Sequence, residues 1–221
     1  MTQLAIDLSY RTAFGRADFL VSACNCAALA AVERWPDWPA HALVIHGPPG
    51  SGKSHLAHLW QAQCGGIIVP AATLDALEPV LKLAEETRGI AVDDADRAPE
   101  APLLHLYNWC AERRTSLLLL SRHAAGAWPI RLPDLSSRLR SLPAAGIAPP
   151  DDELLRFVLV KNFADRGLHV APEVIGYIVR RMERSFAAAA ELAVTLDGLA
   201  LSRGSAVTLR LARRVLAPEP R

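Results

Sequence analysis

The segment "HGPPGSGKSHLAHLW", His46 to Trp60, sets Gly47, four residues, and then Gly52-Lys53-Ser54 directly after the apolar run "ALVIH". Gly47, Gly50 and Gly52 let the backbone approach a ligand closely, and the N–H groups of such a turn surround phosphate oxygens. In this spacing a lysine, here Lys53, reaches the terminal phosphates, and a hydroxyl, here Ser54, ligates magnesium. A helix starting at Lys53 adds the partial positive charge of its N-terminus. The pattern predicts a site for ADP or ATP with Mg, held by Gly47, Pro48, Pro49, Gly50, Ser51, Gly52, Lys53, Ser54 and His55.

The other half of such a site is an apolar strand ending in acid. "GIAVDDAD" supplies one, with Asp93 placed to hold magnesium through water and Asp94 placed to orient the attacking water. Many hydrolysing sites carry glutamate at the second position, and aspartate is one methylene shorter. A displacement of about 1 Å in a group that orients water costs on the order of a hundredfold in rate. Asp94 therefore predicts an ATPase-type site with weak intrinsic turnover. A third apolar run, "TSLLLLSR", ends in Ser121. It reads as a γ-phosphate sensor (sensor I), with an ordinary turn serine as the alternative.

The elements that must position these groups follow from the apolar periods. "HALVIH", "GGIIVP", "GIAVDD" and "TSLLLLS" are short runs bounded by turn or charged residues and read as buried strands. Helical patterns cover "DFLVSACNCAALAAVERW", Lys53 to about Gln63, Leu77–Thr87 and Leu103–Arg113. Strands alternating with helices imply an α/β fold with a mainly parallel sheet covered on both faces. At Pro149-Pro150 the pattern breaks, and Asp151 or Asp152 is positioned to cap a helix. Beyond it lie helical segments at Asp152–Arg166, Pro172–Leu201 (with an interruption near Ser185) and Thr208–Leu216. The predicted organisation is a tail over 1–13, an α/β nucleotide-binding base over 14–148 and a small helical lid over 149–221.

Composition narrows the class. The 221 residues carry 24 Lys and Arg against 23 Asp and Glu. That balance argues against a dedicated nucleic-acid binder, whose phosphate affinity needs excess cations, and leaves a local basic patch open. Cys24, Cys26, Cys64 and Cys110 form neither a CxxC pair nor a metal-ligand series, so they read as reduced thiols of a cytoplasmic protein. No apolar run reaches the roughly 18 residues of a membrane span, and the N-terminus has no basic region of a signal peptide.

At the level of whole motifs the chain resembles the DnaA family of bacterial AAA+ proteins. "GPPGSGKSHLAHLW" is similar to the P-loop of that family, which makes His55 and His58 helix-packing residues of the pattern rather than an HxxH metal pair. "VDDAD" resembles its double-Asp Walker B segment. "LPDLSSRLRS" resembles its Box VII, which carries an arginine finger; this implies Arg138, with Arg140 as runner-up. "ADRGLHVAPEVIGYIVRRMERSFAAAAELAVTLD" resembles its lid, which implies Arg184 as sensor II unless Arg184 is an ordinary surface arginine beside Arg180 and Arg181. The similarity runs from about residue 14 to 216. DnaA continues past the lid into a DNA-reading helix-turn-helix, while this sequence ends at Arg221, so sequence-specific DNA binding is not expected.

The tail adds "QLAIDL", with Gln3, Leu4, Ile6 and Leu8 resembling a peptide that docks into the sliding clamp, the β subunit of DNA polymerase III. With a lone DnaA-like module, this resembles the regulatory inactivators of DnaA. The resemblance implies a protein that, with the DNA-loaded clamp, stimulates hydrolysis of DnaA-bound ATP through a trans arginine. It acts as an activator of a partner ATPase more than as an enzyme. Self-association as a homodimer stays open. Two features depart from the family pattern: Ile-Asp-Leu replaces Leu-Pro-Leu in the tail, and "RSLPAAGIAPP" lacks the Trp-Gly pair after Box VII. The alternatives are a helicase or transposition loader, which would need a larger N-terminal grip, a nucleotide-stabilised adaptor with no role in hydrolysis, and a small-molecule kinase. "VDD", Box VII and the long helical C-terminal part fit a kinase poorly.

Overall fold

Runs such as "SLLLLS" are apolar at every position because both faces of the strand are covered. In the computed structural model, which describes residues 15–16, 19–202 and 204–217, five strands form one parallel sheet. They are β1 (Ala42–His46), β2 (Ile67–Pro70), β3 (Gly89–Asp93), β4 (Ser116–Ser121) and β5 (Ala144–Gly146), in spatial order β2-β3-β4-β1-β5. The helices of this part are α1 (Cys26–Glu33), α2 (Lys53–Cys64), α3 (Leu77–Ala84), α4 (Glu100–Arg113) and α5 (Pro133–Ser141).

Alternation along the strands sorts their side chains into two cores. Leu117 and Leu119 face one layer with Val44, Ile90 and Val92, against Leu81, Leu103, Leu106 and Leu135. Leu118 and Leu120 face the other with Leu43, Ile45 and Ala91, against Leu29, Leu56 and Trp60. Side chains of this size each contribute about 1.5–3 kcal/mol when fully buried, so the sheet that carries the site is held from both sides.

The chain divides at Pro150 and Asp151 into two compact units. The second contains α6 (Asp152–Ala164), α7 (Pro172–Val179), α8 (Phe186–Ser202) and α9 (Leu209–Val215). Its core is built on Leu155, Leu159, Phe163, Ile178, Ala193, Leu196 and Leu211. Asp151 caps α6 by accepting from the Leu154 N–H at 2.7 Å, and Thr208 caps α9 by accepting from the Leu211 N–H at 3.3 Å. Among the described residues no helix is long and apolar enough to cross a membrane.

Several element boundaries differ from the sequence expectation. The first helix starts only at Cys26, because Asn25 folds residues 20–25 into a turn: its Nδ2 donates to the Leu20 carbonyl and its Oδ1 accepts from the Ser22 N–H. The helical pattern over 172–201 is two helices, with Ser185 Oγ accepting from the Ala188 N–H at the start of the second. The helix after β3 begins at Glu100 rather than Leu103. The three-residue strand β5 and helix α5 carried no clear periodic signal, since each is too short to show one.

Candidate functional site

The turn from β1 into α2 needs left-handed backbone, and glycine supplies it at Gly50 (φ 75°) and Gly52 (φ 92°). Gly47 sits where a Cβ would press on Ile147 at 2.9 Å and on Ser51 Oγ at 3.0 Å. Lys53 is buried, and its ammonium donates to the carbonyls of Gly47 at 2.8 Å and Pro48 at 3.0 Å. Burial lowers its pKa; the charges of Asp93 and Asp94 oppose that, and Arg122 adds to the lowering. Ser51 Oγ is buried without a hydrogen-bond partner inside the same loop.

Strand order brings the acid to the hydroxyl. Ser54 Oγ donates to Asp93 Oδ2 at 2.8 Å, and Asp93 Oδ1 accepts the Asp94 N–H at 2.9 Å. Asp94 itself is left-handed at φ 53°, a conformation Asp tolerates better than most side chains. β4 lies between β1 and β3, so its C-terminal end stands between loop and acids. There Ser121 is fully buried: its carbonyl accepts the Gly47 N–H at 3.1 Å and its hydroxyl donates to the His123 carbonyl at 2.7 Å. The side chain that follows, Arg122, acts electrostatically on Lys53. Sequence reasoning passed over Arg122, although its place directly after the polar end of a strand was a usable signal.

His55 borders the loop, with its ring edge-on to Phe19 at 5.2 Å and Nε2 3.0 Å from the Gly15 carbonyl. His58 Nδ1 lies 3.2 Å from Gln61 Oε1. Among the described residues no group of three His, Cys, Asp or Glu could hold a metal ion, and the cysteines are free. Ser54 and Asp93 do offer paired hard oxygens of the kind magnesium takes beside nucleotide phosphates. The orphaned Ser51 hydroxyl, the glycine turn and the buried ammonium fit a phosphate group there.

Arg138 is elsewhere on the same unit. Its Nε donates to Asp134 Oδ1 at 2.9 Å, its guanidinium carbon lies 5.6 Å from the Tyr107 ring centroid, and its side chain is 40% exposed. Asp134 raises its pKa further. Tyr107 in turn packs edge-on against His41 at 4.5 Å. His41 precedes β1 whereas Gly47 follows it. At about 3.3 Å per residue, roughly 20 Å of extended chain separates the Arg138 corner from the phosphate loop. Arg140 is exposed on the same helix. Arg184, in the second unit, lies between α7 and α8 with Nη2 3.1 Å from Asp152 Oδ1. Gln3, Leu4, Ile6 and Leu8 lie outside the described residues.

A parallel sheet of this order, with a glycine loop after β1 and paired acids after β3, has the fold of the α/β base of AAA+ P-loop proteins, and a helical unit follows it in the chain. No protein-family model matches the chain. Among solved structures it is similar to domain III of the Thermotoga maritima replication initiation protein DnaA: TM-score 0.77, 17% identity, 93% of this chain and 98% of that one. It is also similar to the replication initiator DnaA bound to AMPPCP and single-stranded DNA (TM-score 0.66, 17% identity, 90% of this chain, 67% of that one). A Thermotoga maritima RuvB structure matches at TM-score 0.65 and 16% identity, over 86% of this chain and 66% of that one. In sequence it is 26% identical over 186 residues to an uncharacterized Haemophilus influenzae protein, covering 79% of this chain and 80% of the relative. At these identities the structural likeness is one of fold.

Proposed function

We propose that this chain is a nucleotide-loaded regulator of the Hda type. Tethered to the DNA-loaded sliding clamp by Gln3, Leu4, Ile6 and Leu8, it presents Arg138 to ATP held by DnaA, speeds its hydrolysis and so restrains initiation of chromosome replication. The observation that carries the reading is the position of Arg138: beyond reach of its own phosphate loop and partly exposed, with Nε held by Asp134 and the guanidinium set against Tyr107. An arginine brought against a partner's γ-phosphate stabilises transition-state charge, an effect worth roughly 10³–10⁵ in rate in GTPase systems.

In its own site the chain acts as a holder. Gly47, Pro48, Pro49, Gly50, Ser51 and Gly52 would wrap ADP or ATP, Lys53 would neutralise the phosphates, and Ser54 with Asp93 would hold magnesium, which screens phosphate charge when bound. Asp94 is the water-orienting acid, and its short side chain supports slow turnover. The resemblance implies Arg184 as sensor II, and Ser121 is read as sensor I from its place at the end of β4, where its hydroxyl donates to the His123 carbonyl. The deciding assay mixes ADP-loaded protein, DNA-loaded clamp and ATP-bound DnaA, and measures phosphate release. Stimulation by the wild type should disappear in Arg138→Ala and, separately, on removal of residues 1–8. Absence of stimulation by the wild type overturns the proposal.

A further inference from the structure

The helical unit carries a group of cations that the nucleotide site does not use. Tyr177, on α7, is partly buried, and two guanidinium groups lie over its ring: Arg181 at 4.0 Å and Arg213, from α9, at 5.7 Å. Arg180, Arg210 and Arg214 are exposed nearby in sequence, and α7 packs on α9. Arg210, Arg213 and Arg214 are spaced i, i+3 and i+4, so they share one side of α9. None of these five arginines forms an ion pair with a described carboxylate; the exposed Glu173 and Glu183 are close in sequence and engage none of them.

Structural duty accounts for part of this. Arg213 and Arg214 sit in the last turn of α9, where a cation modestly offsets the helix dipole. That is too little to explain two guanidiniums gathered on one ring, where they repel each other. The ring quadrupole orients them, their N–H donors make no hydrogen bond to another described side chain, and an anion bridging them removes the repulsion. We infer that the α7–α9 face of the helical unit, centred on Arg181, Tyr177 and Arg213, is a binding surface for the phosphate backbone of duplex DNA. Duplex fits better than single strand because single-strand binding relies on free aromatic faces for base stacking, and this ring already carries guanidinium. Contacts of this kind read charge and not sequence, and a local patch can supply that charge although the whole chain carries only +1.

The surface involves neither the phosphate loop nor Arg138, so it stands or falls apart from the regulatory reading. The test is fluorescence anisotropy of the full chain with a labelled duplex and with the same single strand, between about 50 and 200 mM salt. Wild type should bind the duplex with log K falling linearly in log salt, at about 0.9 per phosphate contact. In R181A/R213A the slope should drop by about 2, while R181K/R213K should keep it. ADP affinity and the thermal melt should match wild type in both variants, which separates lost charge from lost fold. No duplex binding, an unchanged slope in R181A/R213A, or tighter binding to the single strand overturns the inference.

Discussion

Lys53 and Asp94 show how much chemistry one side chain carries here. Burial lowers the pKa of Lys53, and the charges of Asp93 and Asp94 oppose that shift without reversing it. Lys53→Ala removes the cation that the phosphates need, and an isothermal titration should show ADP binding abolished; undiminished affinity would refute the assignment. Asp94 joins two requirements that the sequence presents as one: a carboxylate whose charge acts on Lys53 and a backbone at φ 53°. Asp94→Asn keeps the tolerance for left-handed backbone and removes the charge. Nucleotide affinity should stay within a few-fold, while intrinsic hydrolysis falls by about a hundredfold, the size expected for losing a positioned base. Equal hydrolysis by variant and wild type would remove Asp94 from the chemistry.

Helix α5 is positioned by a contact far away in sequence. The Glu100 carboxylate, at the start of α4, accepts the N–H of Arg131 at 3.0 Å and of Leu132 at 2.7 Å, directly before α5 begins. These backbone donors hold its pKa below the ordinary carboxylate value of 4.5. A carboxylate with a depressed folded pKa stabilises above its unfolded pKa, and that contribution is lost as pH falls through the folded value. Glu100→Ala should therefore melt below wild type at neutral pH, with the gap closing as the pH drops below 4.5. A gap that persists in acid would mean Glu100 acts through packing. Because α5 bears Arg138, the proposed function expects the same variant to weaken any stimulation of DnaA more than it weakens ADP binding.

For the molecule as a whole, α2 and β3 are locked by a close approach. A Cβ at Gly89 would overlap the Trp60 indole, which is fully buried and stacked on Trp38 at 5.4 Å. Gly89→Ala should destabilise by about 1–3 kcal/mol in denaturant unfolding. Combined with Trp60→Phe it should cost less than the sum of the two single changes, since both act on one contact; strict additivity would show the overlap is absorbed elsewhere. Legible in the sequence alone were the glycine loop, the pairing of its Ser54 with the acid-ended strand at Asp93, the four long strands, the buried faces and the helical character after residue 150. Local chemistry writes these: glycine spacing, apolar runs closed by acid, and a proline break. Three features needed the folded chain: β4 lies between β1 and β3, Ser121 spends its hydroxyl on His123 while Arg122 acts on Lys53, and Arg138 packs by Tyr107 and His41 at the end of β1 away from the loop. Strand order and side-chain partners arise from long-range packing, and a single chain's periodicity carries no record of which strand neighbours which.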